Sequence, residues 1–410
     1  LSVLILIYPI SLYLKDGFIA FLRADVLVST SLIYWTLLDL IQNRYGLFSS
    51  SVEDIRYAFV LITVFVIVVQ LSSRYSFRLP ELAEQAAKIE IKTSTLYSAL
   101  IICVLIGIFP FWRGAYYDFD YMISSLTRPR FAAPWARGGS GGFAAFFEHL
   151  KYFGYITPAL SSLIWVKEGK FNIKVFFAIV LVLCFSVFEF QGGGRRITGF
   201  LFGSAAITYM VAKRNNLQLK HFVVIGLLSA GLLVLLDMQL QFRNTGYENM
   251  LEKYDVEEFE KVKVDDNFLR IVQIVDFVPE IHPYSGLQYP IWAFGRPIPR
   301  YFWSSKPVTP GFDIADLAGE VGVSLSMTVV GEAYASYGII MVVLVGILFG
   351  LLSGTLNQLL YADLSAMGYS LYALGLMALV GGVRSLADLI IFSYAFLGLL
   401  FVYKFYISKK

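Results

Sequence analysis

Charge is what this sequence has little of: Asp, Glu, Lys and Arg together make up 15% of its 410 residues. Soluble globular chains carry about a quarter, so an ordinary water-exposed surface is excluded. Cysteine is nearly absent. Cys103 and Cys184 both fall inside apolar runs, which excludes a disulfide framework and a cysteine-based metal site. Stretches of alternating polarity are missing too, and with them the signature of a membrane barrel. No internal repeat, low-complexity domain or cleavable signal peptide is read from the chain. It opens on Leu1 rather than Met, so an original start and a further span are expected upstream. The net charge of +3 gives no sign of a nucleic-acid partner.

What is abundant is apolar. Hydrophobic residues make up 57% of the chain and aromatics 16%. Runs approaching the ~20 residues that cross a bilayer core as a helix recur along nearly the whole length. The expected fold class is an all-α polytopic membrane protein. About eleven spans are predicted, near 1–14, 18–41, 57–71, 94–111, 150–166, 174–190, 197–212, 221–238, 326–352, 367–383 and 387–403. The organisation that follows is a transmembrane region over 1–238 with an external loop at 112–149, then a large external loop over 239–325, then C-terminal spans over 326–410. The large loop is long enough to hold short helices of its own.

Lysine and arginine give the orientation. Dense positive charge occupies Arg74/Arg78/Lys88/Lys92, Lys167/Lys170/Lys174, Lys213/Arg214/Lys220 and the tail Lys404/Lys409/Lys410. Counting spans places all of these on one side, which the positive-inside rule makes cytoplasmic. Arg195, Arg196, Arg243, Arg296, Arg300 and Arg384 then map to the opposite face, where such charge is normally avoided. Arginines kept there ask for a bound anion, and guanidinium forks suit phosphate oxygens.

Residues 191–196, Gln-Gly-Gly-Gly-Arg-Arg, place Arg195 and Arg196 beside glycines at an external helix entrance. Glycine permits close backbone approach and a helix N-terminus favours an anion; arginines touching lipid headgroups would use the same sequence. Residues 295–307 carry Arg296, Arg300 and Lys306 on a loop stiffened by Pro297, Pro299 and Pro307. Cations held in place suit a pyrophosphate leaving group, whose charge develops in the transition state. Tyr301, Phe302 and Trp303 can stack on sugar faces or anchor the loop at the interface. In the segment Gly331-Glu332-Ala-Tyr334, an ionisable group near a span's outer end implies a cavity or partner. Glu332 is read either as a general base or as the carboxylate that holds an arginine, and Tyr334 as a substrate contact. Arg384, with Asp388 beyond it, is read as another phosphate arm.

Other residues carry less. His282 is a second catalytic candidate beside the commoner reading of an exposed structural histidine. His149 and His221 are set aside. Glu189 and Asp237, at outer span ends, are read as hydrogen-bonded structural groups. Asp118-Phe-Asp120 is a weak metal pattern, and Asp313, Asp316 and Glu320 read as a solvated helix face, so no metal site is assigned. Over 268–278, Arg270, Gln273 and Asp276 form one stripe on an otherwise apolar helix, which should lie in the interface or pack onto the spans. The glycine run at 138–142 is read as a loose loop rather than a lid, and 248–266 as a solvated helix.

Together these segments resemble the bacterial oligosaccharide repeat-unit polymerases, the Wzy or O-antigen polymerase family. The resemblance rests on Gly193-Gly194-Arg195-Arg196, on Ile298-Pro299-Arg300-x-x-Trp303-x-x-Lys306-Pro307, and on Gly331-Glu332-Ala-Tyr-Ala-x-Tyr-Gly338, with the spacing to Arg384. It covers residues from about 185 to 400, and the first half of the chain matches in hydropathy alone. Arg384-Ser-Leu-Ala-Asp388 stands where such proteins often carry Arg-Gly-Asp, so no role passes to Asp388.

The resemblance implies a metal-independent glycosyltransferase without cofactor, of GT-C-like fold, in the bacterial inner membrane with its site facing the periplasm. Such an enzyme moves a growing glycan from undecaprenyl pyrophosphate onto the terminal sugar of one lipid-linked repeat unit and releases undecaprenyl pyrophosphate. Its partners are lipid-linked glycans, membrane lipids and a chain-length co-polymerase. On this pattern Arg195, Arg196, Arg296, Arg300, Lys306 and Arg384 bind pyrophosphate, with Trp303 and Tyr334 at the sugar. Glu332, His282 and Arg196 serve the chemistry. An O-antigen ligase and a lipid-linked oligosaccharide flippase are the alternatives. Transporters place their charges near the bilayer midplane, whereas here the charges sit at span ends.

Overall fold

A computed structural model describes residues 2–41, 50–136, 147–248, 250–254, 266–298, 300–319 and 325–407. The glycine run 138–142, most of the charged stretch 248–266, and Glu320 lie outside the described residues. Among the described residues the chain is helical, with no strand. The main helices in chain order are α1 (Ser2–Asp16), α2 (Ala24–Thr36), α3 (Val52–Ser72), α4 (Thr93–Gly114) and α5 (Thr157–Glu168). They continue as α6 (Ile173–Gln191), α7 (Arg195–Ala212), α8 (Leu219–Phe242), α9 (Asn267–Phe277) and α10 (Gln288–Gly295). The chain closes with α11 (Thr328–Tyr361), α12 (Ala366–Arg384) and α13 (Leu386–Phe405).

Seven of these, α3, α4, α6, α8, α11, α12 and α13, are long and apolar enough to cross a membrane. Ile7–Leu22 and Ala24–Thr36 form a pair bent by 75° that together makes an eighth. The chain is thus a polytopic helical membrane protein. Four of the segments expected to span behave differently. Those at 1–14 and 18–41 belong to the bent pair, α5 is only 12 residues long, and α7 opens on two arginines that dilute its apolar run.

The chain divides into two compact units. The first contains Leu1–Leu79, Lys263–Ala362 and Ala378–Ile391. Here α3 and α11 run side by side in the same direction, with Tyr57 against Tyr334 near one end and Phe65 against Phe349 further along. Gly346, Gly350 and Gly354 recur every fourth residue, on one face of α11, and let the backbones meet. A Cβ at Gly350 would lie 2.5 Å from Ser72 Cβ, and one at Gly354 would lie 1.8 Å from the Tyr75 carbonyl oxygen. Small residues at this spacing are how helices pack where lipid supplies no hydrophobic drive. Gly354→Leu is expected to lower stability by at least the ~1–3 kcal/mol of an overpacked core. Thermal melting in detergent checks this, and an unchanged transition would remove the glycine face as a packing device.

α11 is broken at Tyr337 (φ −147°, ψ 34°) and Gly338 (φ 64°, ψ −153°). The break frees carbonyls of the first segment, and the large loop takes them up. Ser285 N–H donates to Ala335 O at 2.9 Å and Gly286 N–H to Ser336 O at 3.0 Å. The helix expected over 268–278 forms as α9. Its apolar face packs on the spans, burying Phe268, Ile271 and Ile274, with Phe268 4.7 Å from the Phe59 ring. Its polar stripe closes on itself, Arg270 pairing with Asp266 and donating to Gln273 Oε1 at 2.8 Å.

At the other end of this unit Asp25 is fully buried. Its carboxylate accepts from Arg23 at 3.0 and 3.1 Å, Ser73 Oγ at 3.0 Å and Asn357 Nδ2 at 2.8 Å, and also from the Tyr8 hydroxyl. Asn357 Oδ1 in turn accepts the Ala24 N–H at 2.8 Å. This network fixes the bend between α1 and α2 to the far end of α11.

The second unit contains Pro80–Val262, Asp363–Met377 and Phe392–Lys410. Helices α6, α7 and α8 succeed one another through short turns, so their ends alternate. One end gathers lysines and Arg214: Lys167 pairs with Glu90 at 3.4 Å, Lys174 with Glu168 at 3.3 Å, and Arg214 stacks 5.3 Å from the Tyr369 ring. The other end carries the turn Gly192–Gly194.

Candidate functional site: arginines around a glycine turn

The end of α6 and the start of α7 meet in a turn that only glycine can make. Gly193 has φ +69°, and a Cβ there would lie 2.9 Å from Arg243 Cβ and 3.5 Å from Arg130 Cδ. Arg130 N–H donates to the Arg243 carbonyl at 2.7 Å. The α8 end is tied to the same turn, because Gln239 Nε2 donates to Phe190 O at 2.8 Å. The loop before residue 137 is tied there as well, through Gln191, which donates to Arg128 O at 3.1 Å and accepts from Trp135 Nε1 at 2.9 Å. Tyr247 completes the ring, its hydroxyl donating to Phe190 O at 3.3 Å. Burial pushes that hydroxyl up to about 12 against the pull of Arg243 and Arg130 beside it.

Three chain segments thus deliver arginines to one turn: Arg128 and Arg130 from the loop, Arg195 and Arg196 from the first turn of α7, Arg243 from the end of α8. Arg195 is half-buried and Arg196 exposed. Arg195, Arg196 and Arg243 are candidates from the sequence by their sidedness. Arg130 was legible only as an arginine of the external loop 112–149, and no motif links it to a glycine more than sixty residues away in the chain. Arginines gathered beside a helix N-terminus make chemically an anion site, because the planar guanidinium donors suit phosphate oxygens.

The first unit holds a second cation group. Arg296 stacks 4.7 Å from the Trp292 ring. Lys306 Nζ donates to the carbonyls of Arg296 at 3.3 Å and Ile298 at 3.0 Å. The Lys306 ammonium is held below its ordinary value by partial burial and by the charges of Arg300 and Arg296. Since a bound anion restores the proton, pyrophosphate affinity here should begin to fall at a lower pH than an ordinary lysine gives. Lys306→Arg, charged throughout, should flatten that fall. Calorimetric titration of pyrophosphate at several pH values compares the two, and coincident curves would rule Lys306 out of anion binding.

Trp303 packs under Gly295, whose Cβ would stand 2.9 Å from its ring, and donates to Ser305 Oγ at 3.1 Å. Tyr301 and Phe302 are the open aromatics of this loop, 89% and 78% exposed. His282 is held by its neighbours, with Nδ1 2.6 Å from the Pro283 carbonyl and the ring 6.3 Å from Phe312.

Glu332 is buried, and its place is specific. Oε2 accepts the Leu386 N–H at 2.8 Å, and the hydroxyls of Tyr289 and Ser385 hydrogen-bond to each other at 3.3 Å. It caps the first turn of α13. Tyr334 is buried and donates to Val278 O at 3.2 Å. Arg384 pairs with Asp388 one turn on, at 3.3 Å. Asp237 is a hydrogen-bonded structural group, accepting from Gln241 at 2.9 Å and Tyr254 at 3.1 Å. Asp118 and Asp313 cap short helices, each accepting a backbone N–H. Among the described residues no group of His, Cys, Asp and Glu is placed to hold a metal ion.

No family model, curated protein or solved structure matches the chain.

Proposed function

We propose that this protein is a glycosyltransferase that polymerises undecaprenyl-pyrophosphate-linked oligosaccharide repeat units, of O-antigen or capsule type, on the external face of a bacterial plasma membrane. The observation that carries the reading is the gathering of Arg130, Arg195, Arg196 and Arg243 around Gly193, at the opposite end of the second unit from Lys167 and Lys174. Arginine in that position suits an anion, and pyrophosphate is the anion of lipid-linked sugars. The finer architecture belongs to the same proposal: about eleven crossings, α5, α7 and the bent pair among them, in a GT-C-like arrangement.

In this reading the arginines bind the departing pyrophosphate and stabilise charge as the glycosidic bond to the lipid breaks. Pyrophosphate is a good leaving group and needs no strong general acid. Arg296, Arg300, Lys306 and Arg384 offer the first unit's own contacts to lipid-linked substrate, with Tyr301 and Phe302 open to sugar or to the membrane interface. Bond formation still requires that the acceptor hydroxyl lose its proton.

The test is reconstitution of the purified protein with lipid-linked repeat units in EDTA, with products sized on a gel. A ladder of lengthened lipid-linked glycan is expected. Transfer seen only when lipid A core is supplied would instead establish a ligase, and no transfer in either case would overturn glycosyl transfer itself.

A further inference from the structure

Below the arginine turn lies a carboxylate that a structural role leaves incompletely explained. Glu189 stands on α6 one helical turn before Gly193 and is 5% exposed. The Tyr155 side chain stands beside it, and Oε1 has no hydrogen-bond partner. Lys151 and Glu148 act on it electrostatically, and Arg196 acts on both Lys151 and Tyr155. Tyr152 and Tyr394 stack beside this group, with ring centroids 4.8 Å apart, and Tyr155 meets Tyr152 edge to face at 5.3 Å. Leaving a buried polar atom unsatisfied costs about 1–3 kcal/mol, more for a charged group. Native structures rarely keep such an atom without a role for it.

We infer that Glu189 is the general base of the transfer, accepting the proton of the acceptor sugar's hydroxyl through Oε1. The inference rests on the polymerase reading above. It contrasts with Glu332, whose Oε2 is committed to the Leu386 backbone N–H. In the step, the acceptor oxygen forms its bond to the anomeric carbon of the growing glycan as the bond from that carbon to the pyrophosphate oxygen breaks. The hydroxyl proton passes to Glu189. Undecaprenyl pyrophosphate leaves with the electron pair, towards the arginines one turn along. Glu189 returns its proton to solvent. The half-buried Tyr152 and Tyr394 supply the aromatic wall against which a sugar face packs.

The experiment compares wild type, Glu189→Gln and Glu189→Asp in the reconstituted ladder assay, with thermal melting alongside. Glu189→Gln preserves shape and is expected to lower kcat at least 100-fold while KM for the repeat unit changes less than threefold and the melting temperature holds. Glu189→Asp is expected to recover part of the rate. A wild-type ladder with near-normal Glu189→Gln turnover sinks the assignment alone, as does a rate loss matched by a lowered melting temperature. Absence of a wild-type ladder overturns the polymerase reading and this assignment with it.

Discussion

Arg196→Ala is expected to lower turnover of lipid-linked repeat units by roughly 10²–10³-fold, the loss typical of removing one preorganised donor from a developing negative charge. The protein should remain folded, because the side chain is exposed at the start of α7. Arg196→Lys is the sharper probe. It keeps the charge but replaces a planar fork with a single ammonium, so a site that binds phosphate oxygens in pairs should recover little. A site that needs only positive charge near lipid headgroups should recover nearly all. Steady-state rates for the two variants separate these cases, and Arg196→Ala retaining more than a tenth of wild-type turnover would end the case for Arg196 at the leaving group. Arg130→Ala carries the same expectation on purely structural grounds, since its place beside Gly193 and Arg243 is set by the backbone bond to the Arg243 carbonyl.

Asp25→Ala should destabilise the protein by about 3–5 kcal/mol, the range for removing one partner of a buried ion pair. The carboxylate is fully buried, while the Arg23 side chain it pairs with is 16% exposed. Its removal takes the carboxylate acceptor from that guanidinium and from Asn357 Nδ2, while Ser73 Oγ keeps the Gln70 carbonyl at 2.8 Å. The effect reaches across the sequence because the same carboxylate ties α2 to the end of α3 and to α11. Asn357→Ala should destabilise less, since it removes two of the bonds but leaves the charge paired. Melting in detergent, with both variants and wild type under one condition, gives the order. If Asp25→Ala melted with wild type, the network would have no part in holding the bend between α1 and α2.

Much of the helical architecture is legible in the chain because lipid imposes a simple rule: backbone groups must be satisfied within the segment, so long apolar runs become helices. The runs at 57–71, 94–111, 174–190, 221–238, 367–383 and 387–403 each fall within a helix long enough to cross. The amphipathic reading of 268–278 held for the same reason, with apolar residues at helical spacing finding the spans to cover them. The break in α11 was not legible. Gly338 is one glycine among many, and its positive φ is useful only because Ser285 and Gly286 arrive to take the carbonyls that the break exposes. The role of Glu332 was equally hidden. Its burial was predictable from its place in a span, but its partner is a backbone N–H 54 residues away.

By itself the sequence determined the class of protein, the positions of most helices, and the separation of lysine-rich connections from arginine-bearing ones. These are properties of local composition, and composition is read residue by residue. Which arginines stand together is set by the folded chain, since proximity depends on turns and on contacts between segments far apart in the chain. It brought Arg130 to Gly193, drew Glu332 to the start of α13, and left Glu189 Oε1 buried without a partner. Each of these depends on the exact approach of helices, which is set by small residues and by where buried polar groups find hydrogen bonds. A linear pattern of apolar and charged residues carries neither.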